Sequence, residues 1–296
     1  LTPVTVKKMH FSGNATALAD YGGLFGQYTF NTFTVPDQGT GATPRVGMLP
    51  WQTQLMTVER NLFQGQDAAP GLDENSVGIF HLGLNASLAG QNDNDWLYVD
   101  NRIYDNEFKD LTVGNLVQWV NRGAQANNDA QGLQLLCGDY TNNQFDHAVV
   151  EGSLIRPRQG SQDNPITGPA GNRYFDQANC DTEYDWWLDP QWNVVPGWLP
   201  GMTVTYYHHE QPVAIIDPIC ASPNYTDLPV AQSGVFDKPT SCGDGILDMT
   251  GGINELEVDL DEATVGWVAT KAIYDGLVGA QDEPTILAAI TEQNAP

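Results

Sequence analysis

The sequence predicts a mainly β protein, an antiparallel β-sandwich or jelly-roll-like body with long loops and a short C-terminal helical segment. Three observations predict it. The apolar clusters are short and rich in Val, Ile, Thr, Tyr and Phe; Gly, Pro, Asn and Asp separate them; and helical periodicity is concentrated late in the chain. At 296 residues and 41% hydrophobic, the chain is long and apolar enough for a real core.

Taken in order, "TPVTVKKMHF", "GQYTFNTFTV", "SVGIFHLGL", "DWLYVDNRIY", "HAVVEGSLI" and "MTVTYYHHEQPVAIID" read as strands. "DLTVGNLVQWVNRG", 110 to 123, carries Leu116, Val117 and Val120 at helical spacing and ends in Gly123, so it reads as a helix across the sheet rim. The stretch from 156 to 203 is dense in Pro, Gly, Asn, Asp and Trp and reads as a long functional or stapled loop. No internal repeat stands out. "DLDEATVGWVATKAIYDGL" has Asp259 and Glu262 at capping-box spacing before an apolar stripe, and "DEPTILAAITEQ" places Pro284 in a first turn. The expected organisation is a body over 1–240, with 156–203 as an insertion, followed by an acidic loop and helical appendix over 241–296.

A net charge of -25 with twelve basic side chains makes a surface that repels nucleic acid and anionic membrane and attracts cations. No apolar run is long enough for a signal peptide or a membrane span. Cys137, Cys180, Cys220 and Cys242 lack C-x-x-C spacing and predict two disulfides, with 137–180 and 220–242 preferred by loop length. Together these features predict a secreted, periplasmic or cell-surface chain. Asn14, Asn85 and Asn224 open glycosylation acceptor triplets.

Three residue groups carry candidate chemistry. His10, His81, His147, His208 and His209 lie in or beside strand segments; gathered by the fold, neutral imidazoles suit copper or zinc. Strand alternation places His81 with Val77 and Ile79, His147 with Phe145 and Val149, and His208 with Tyr206 on inward faces, leaving His209 solvent-exposed or on a loop-covered edge. Residues 242 to 262 set Asp244, Asp248, Glu255 and Asp259 among glycines, the oxygen ligands and tight turns that calcium requires. Their opening "CGDGILD" resembles the start of cysteine-rich repeats in secreted bacterial proteins. Trp186, Trp187, Trp192 and Trp198 alternate with carboxylates, a set that stacks on sugars when exposed and plugs the core when buried.

Dinucleotide, Walker and G-x-S-x-G motifs are absent, and "YGGLFGQ" reads as a turn. Three functions follow as expectations: a metal-binding surface protein, a structural or adhesive subunit whose first strand completes a neighbour's sheet, and a glycan-binding module. Binding is expected over catalysis. The expected partners are metal ions, further copies of the chain or other surface proteins.

Overall fold

A computed structural model describes residues 4–36, 43–66, 75–83, 101–121, 132–162, 168–175, 184–188, 204–211 and 225–242. The chain divides into two units, Leu1–Gly243 and Asp244–Pro296, and the described residues belong to the first. The expected helices within 259–294 therefore lie outside them.

The first unit is mainly β, and every strand pair in it is parallel. This overturns the antiparallel sandwich. Strands run in order as β1 (Thr5–Lys7), β2 (His10–Ser12), β3 (Thr16–Tyr21), β4 (Gln27–Thr29), β5 (Thr32–Val35), β6 (Arg45–Trp51), β7 (Thr57–Glu59), β8 (Leu62–Gly65) and β9 (Ser76–Leu82). They continue as β10 (Arg102–Tyr104), β11 (Glu107–Lys109), β12 (Val113–Val120), β13 (Gln134–Leu136), β14 (Asp139–Thr141) and β15 (Phe145–Leu154). The last are β16 (Arg158–Gln159), β17 (Arg173–Tyr174), β18 (Tyr184–Leu188), β19 (Val204–Gln211) and β20 (Tyr225–Val235), followed by one helical turn, α1 (Lys238–Ser241).

Hydrogen-bonded neighbours are three strands apart in sequence: β1-β4-β7-β10-β13 form one face, β2-β5-β8-β11-β14-β17 a second and β3-β6-β9-β12-β15-β18 a third. The chain is therefore wound into a three-faced parallel solenoid, one coil per three strands, and β16, β19 and β20 form a separate sheet in its later coils. The segment expected as a helix over 110–123 holds β12 in the middle of the third face. Its Leu116, Val117 and Val120 fit helical spacing, but pairing on both sides with β9 and β15 decides the conformation. Likewise the expected 156–203 loop contributes three strands, β16 to β18.

Each face sends one column of side chains inward. On the second face Phe11, Phe33, Phe63, Phe108, Tyr140 and Tyr174 are in register, and their rings stack at 4.6 to 5.5 Å. Offset stacking of this kind adds about 0.5–1.5 kcal/mol per pair beyond burial. On the first face Val6, Tyr28, Val58, Ile103 and Leu135 align. The third face carries Leu18, Met48, Ile79, Asn115, His147 and Trp186. Beside that column run Gly47, Gly78 and Gly114, and the absent side chains let the third face approach the aromatic stack: a Cβ on Gly78 would stand 2.7 Å from the Gly114 carbonyl oxygen and 2.9 Å from Phe108.

In the first five coils the corner between the first and second faces is two residues long, and the first of the two has a left-handed backbone: Lys8, Phe30, Arg60, Asp105 and Cys137, with φ of 52 to 58°. For a residue other than glycine this costs about 1–2 kcal/mol. A ladder of buried asparagines just after these residues offsets the cost. Asn31 donates through its backbone N–H and Nδ2 to Asn61 Oδ1, and Asn61 does the same to Asn106 Oδ1. At Gly138 the ladder loses its side chain, and Asn172 of the next coil accepts the Gly138 N–H instead.

That gap is covered from outside. After β20 the chain turns back along the corner: Phe236 is buried beside Tyr104, Cys242 is disulfide-bonded to Cys137, and Lys238 Nζ donates to Asp105 at 2.7 Å and to Asp139 at 2.8 Å. The observed pairing is thus 137–242, across 105 residues, in place of the expected 137–180 and 220–242. Winding brings distant coils to one corner, so sequence distance does not rank the pairs. Cys180 and Cys220 lie outside the described residues.

Candidate functional site

The five histidines fall into three places. His10 is exposed on the first coil. His208 and His209 sit on β19, both buried, with His208 Nδ1 2.7 Å from the His209 carbonyl oxygen and the His209 ring 5.1 Å from Phe236. Of the two positions expected for His209, solvent-exposed or on a covered edge, the structure has the covered one, with Phe236 of the chain that follows β20 against its ring.

The structure brings only His81 and His147 together, inside the solenoid. His81 lies on β9 and His147 on β15, with β12 between them. Register pairs His147 with Asn115 and, one pleat further along, His81 with Val117. All three polar residues are at most 1% exposed. Asn115 Nδ2 donates to Tyr140 Oη at 3.0 Å and stands 3.5 Å from His147 Nδ1. The His147 ring is 4.2 Å from Trp186, whose Nε1 donates to Tyr174 Oη at 2.9 Å, and meets Tyr140 edge-on at 4.6 Å. His81 Nε2, Asn115 Oδ1 and His147 Nε2 are buried without a hydrogen-bond partner.

Burial dominates the electrostatics. It lowers the His81 pKa to about 3, against a smaller opposing influence of the Asn115 side chain, and it holds His147 well below the ordinary range, assisted by repulsion from His81. Burial likewise raises the Tyr140 phenol, with Asp146 adding to the rise. At neutral pH the cluster therefore contains two neutral imidazoles, a neutral amide and a neutral phenol.

The sign of the pH effect follows. Both histidines have folded pKa values below the unfolded value near 6.5, so the unfolded chain binds more protons once pH falls below it. The stability of the metal-free protein is full above about pH 6.5 and declines as pH falls toward 3. At pH 5.5 the loss is roughly 1 kcal/mol, or somewhat more, per histidine. Urea midpoints at pH 7.5 and 5.5 should differ less in a His81→Gln/His147→Gln variant than in the parent by the equivalent of about 2–3 kcal/mol; equal differences would refute this origin.

Among the described residues no three His, Cys, Asp or Glu side chains are grouped to hold one ion. Asp244, Asp248, Glu255 and Asp259 lie outside those residues, as do Trp192 and Trp198. Trp186 is fully buried, and Trp187 is half-buried against Phe145 and Tyr184. Asn115 and Tyr140 complete the histidine cluster and escaped the sequence reading. Asn115 was hidden by the helical reading of its segment, although a lone Asn between Val113 and Val117 on a strand is itself a signal.

Among the described residues no helix is long and apolar enough to cross a membrane. The chain matches no protein-family model, no curated protein and no solved structure.

Proposed function

We propose that the chain is an exported structural or adhesive subunit whose solenoid associates with further copies of itself through its first coil. The observation that carries this reading is the open side of that coil. Strands β1, β2 and β3 each end their sheet, so each presents one backbone edge with no neighbour among the described strands. Val6, Phe11, Ala17 and Leu18 pack on the core yet remain only half-buried, and Val4, Met9, Tyr21 and Phe25 are exposed around them. Later coils bury the equivalent positions: Phe33 and Met48 are 0% exposed.

Charge selects the occupant. The first coil carries Lys7 and Lys8 in a chain of net charge -25, so it attracts the acidic body of another copy more than another first coil. Such a contact is head to tail, and head-to-tail contacts that do not close into a ring grow as filaments. The disulfide of Cys137 with Cys242 and the acidic surface support export.

Sedimentation velocity over a rising concentration series is expected to show assembly that weakens in about 1 M salt, where the screening length falls to about 3 Å. Lys8 and Met9 are exposed, so Lys8→Glu/Met9→Glu should leave the fold intact and abolish assembly. A parent protein that stays monomeric to millimolar concentration, or a variant that assembles as the parent does, refutes the proposal.

A further inference from the structure

Three unpartnered polar atoms at one place in the interior require an account, since each buried donor or acceptor without a partner costs about 1–3 kcal/mol. His81 and His147 lie on the strands that flank β12, which carries Asn115, and the three side chains interact with one another. The geometry points to a buried site for a single soft monovalent d10 cation of the copper(I) class, held by the Nε2 atoms of His81 and His147, with Asn115 between them orienting the His147 ring.

The donor set selects the ion by type and by charge. Imidazole nitrogen favours copper and zinc over calcium or magnesium, which take oxygen ligands. The donors include no thiolate or carboxylate, and the buried carboxylate whose charge reaches the cluster, Asp146, offers one compensating charge. The cost of taking an ion out of water grows with the square of its charge, about fourfold from one to two. A divalent zinc ion would carry the larger penalty with only half of its charge compensated. A monovalent ion pays the smaller one, and copper(I) accepts two imidazoles in a low coordination number.

The surroundings agree. Trp186 and Tyr140 place aromatic rings at 4.2 and 4.6 Å from the His147 ring and enclose it in apolar surface. Asn115 Nδ2 is directed to Tyr140 Oη, which leaves its Oδ1 as the free oxygen. Asn115 Nδ2 faces His147 Nδ1, so the neutral His147 ring carries its proton on Nε2; binding a cation there moves that proton to Nδ1 and turns the Asn115 amide so that its Oδ1 accepts from Nδ1–H, with no electron transferred.

The test uses the full chain and copper(I) alone as probe, equilibrated anaerobically in competition with a chromophoric copper(I) chelator. One equivalent should bind, the melting temperature should rise, and the 15N resonances of the His81 and His147 Nε2 atoms should shift while those of His10 stay fixed. Binding should fall at least tenfold in His81→Gln and in His147→Gln and remain unchanged in His10→Gln. The nitrogen resonances of the parent protein decide the matter even if a variant fails to fold. Absence of binding, binding that moves other histidines only, binding retained in both core variants, or zinc(II) bound in preference to copper(I) would each overturn the assignment.

Discussion

Replacing Asn61 by alanine is expected to lower the stability of the solenoid by about 3–6 kcal/mol, among the largest effects of any single substitution in it. Asn61 is 2% exposed and joins three coils. Its Oδ1 accepts from the Asn31 backbone N–H at 2.8 Å and from Asn31 Nδ2 at 2.9 Å, and its Nδ2 donates to the Tyr28 and Glu59 carbonyl oxygens. Alanine strands these buried groups, and each stranded group costs about 1–3 kcal/mol. It also removes the side chain that compensates the left-handed backbone of Phe30 and Arg60 on either side. Urea unfolding monitored by far-UV circular dichroism measures the loss. A change below about 1 kcal/mol would show that the ladder describes the corners without holding them.

Cys242→Ser should cost about 2–5 kcal/mol. The disulfide to Cys137 closes a loop of 105 residues, and a cross-link over so long a loop removes much of the freedom of the unfolded chain. Lys238, Phe236 and Ser241 pack around the same corner, so local contacts persist in the variant and the loss falls mainly on the unfolded state. The measurement compares denaturant midpoints of the oxidised parent, the reduced parent and the variant. With reductant present in both samples the parent and the variant should agree; a variant as stable as the oxidised parent would refute the staple. Gly171 is part of the arrangement, because a Cβ there would meet Cys242 Sγ at 2.9 Å and Cys137 Sγ at 3.1 Å.

The mainly β character was legible because β-branched and aromatic clusters between turn residues mark strands in any sheet. Parallel winding was not, since a strand with one buried face alternates in the same way whichever direction its neighbours run. The information was nonetheless present as repetition. "FNTF", "RNLF", "DNEF" and "GNRY" end in Phe33, Phe63, Phe108 and Tyr174, and "RVGM", "SVGI" and "TVGN" place Gly47, Gly78 and Gly114. Uneven spacing concealed it: Asn31 and Asn61 are 30 residues apart, Asn61 and Asn106 are 45. The corner after the first face keeps its length through the first five coils while the other connections vary, so the coils repeat in space more regularly than in sequence.

The histidine cluster shows the same division. Alternation along β9 and β15 is enough to turn His81 and His147 inward, for each shares a face with buried neighbours such as Ile79 and Val149. Their meeting depends on β12 passing between them, and three-strand winding alone arranges that. The separation of His10 and of the His208–His209 pair has the same cause, because those residues sit on other coils and faces.

The link between Cys137 and Cys242 also fixes how the protein carries mechanical load. Tension applied beyond residue 242 passes through the sulfur bridge to β13 and β14, and the intervening residues 138–241 are left slack on a closed covalent path. A pulled molecule should therefore pay out the coils before Cys137 while the later ones stay wound, and a reducing agent would lengthen it by the contour of the hidden segment.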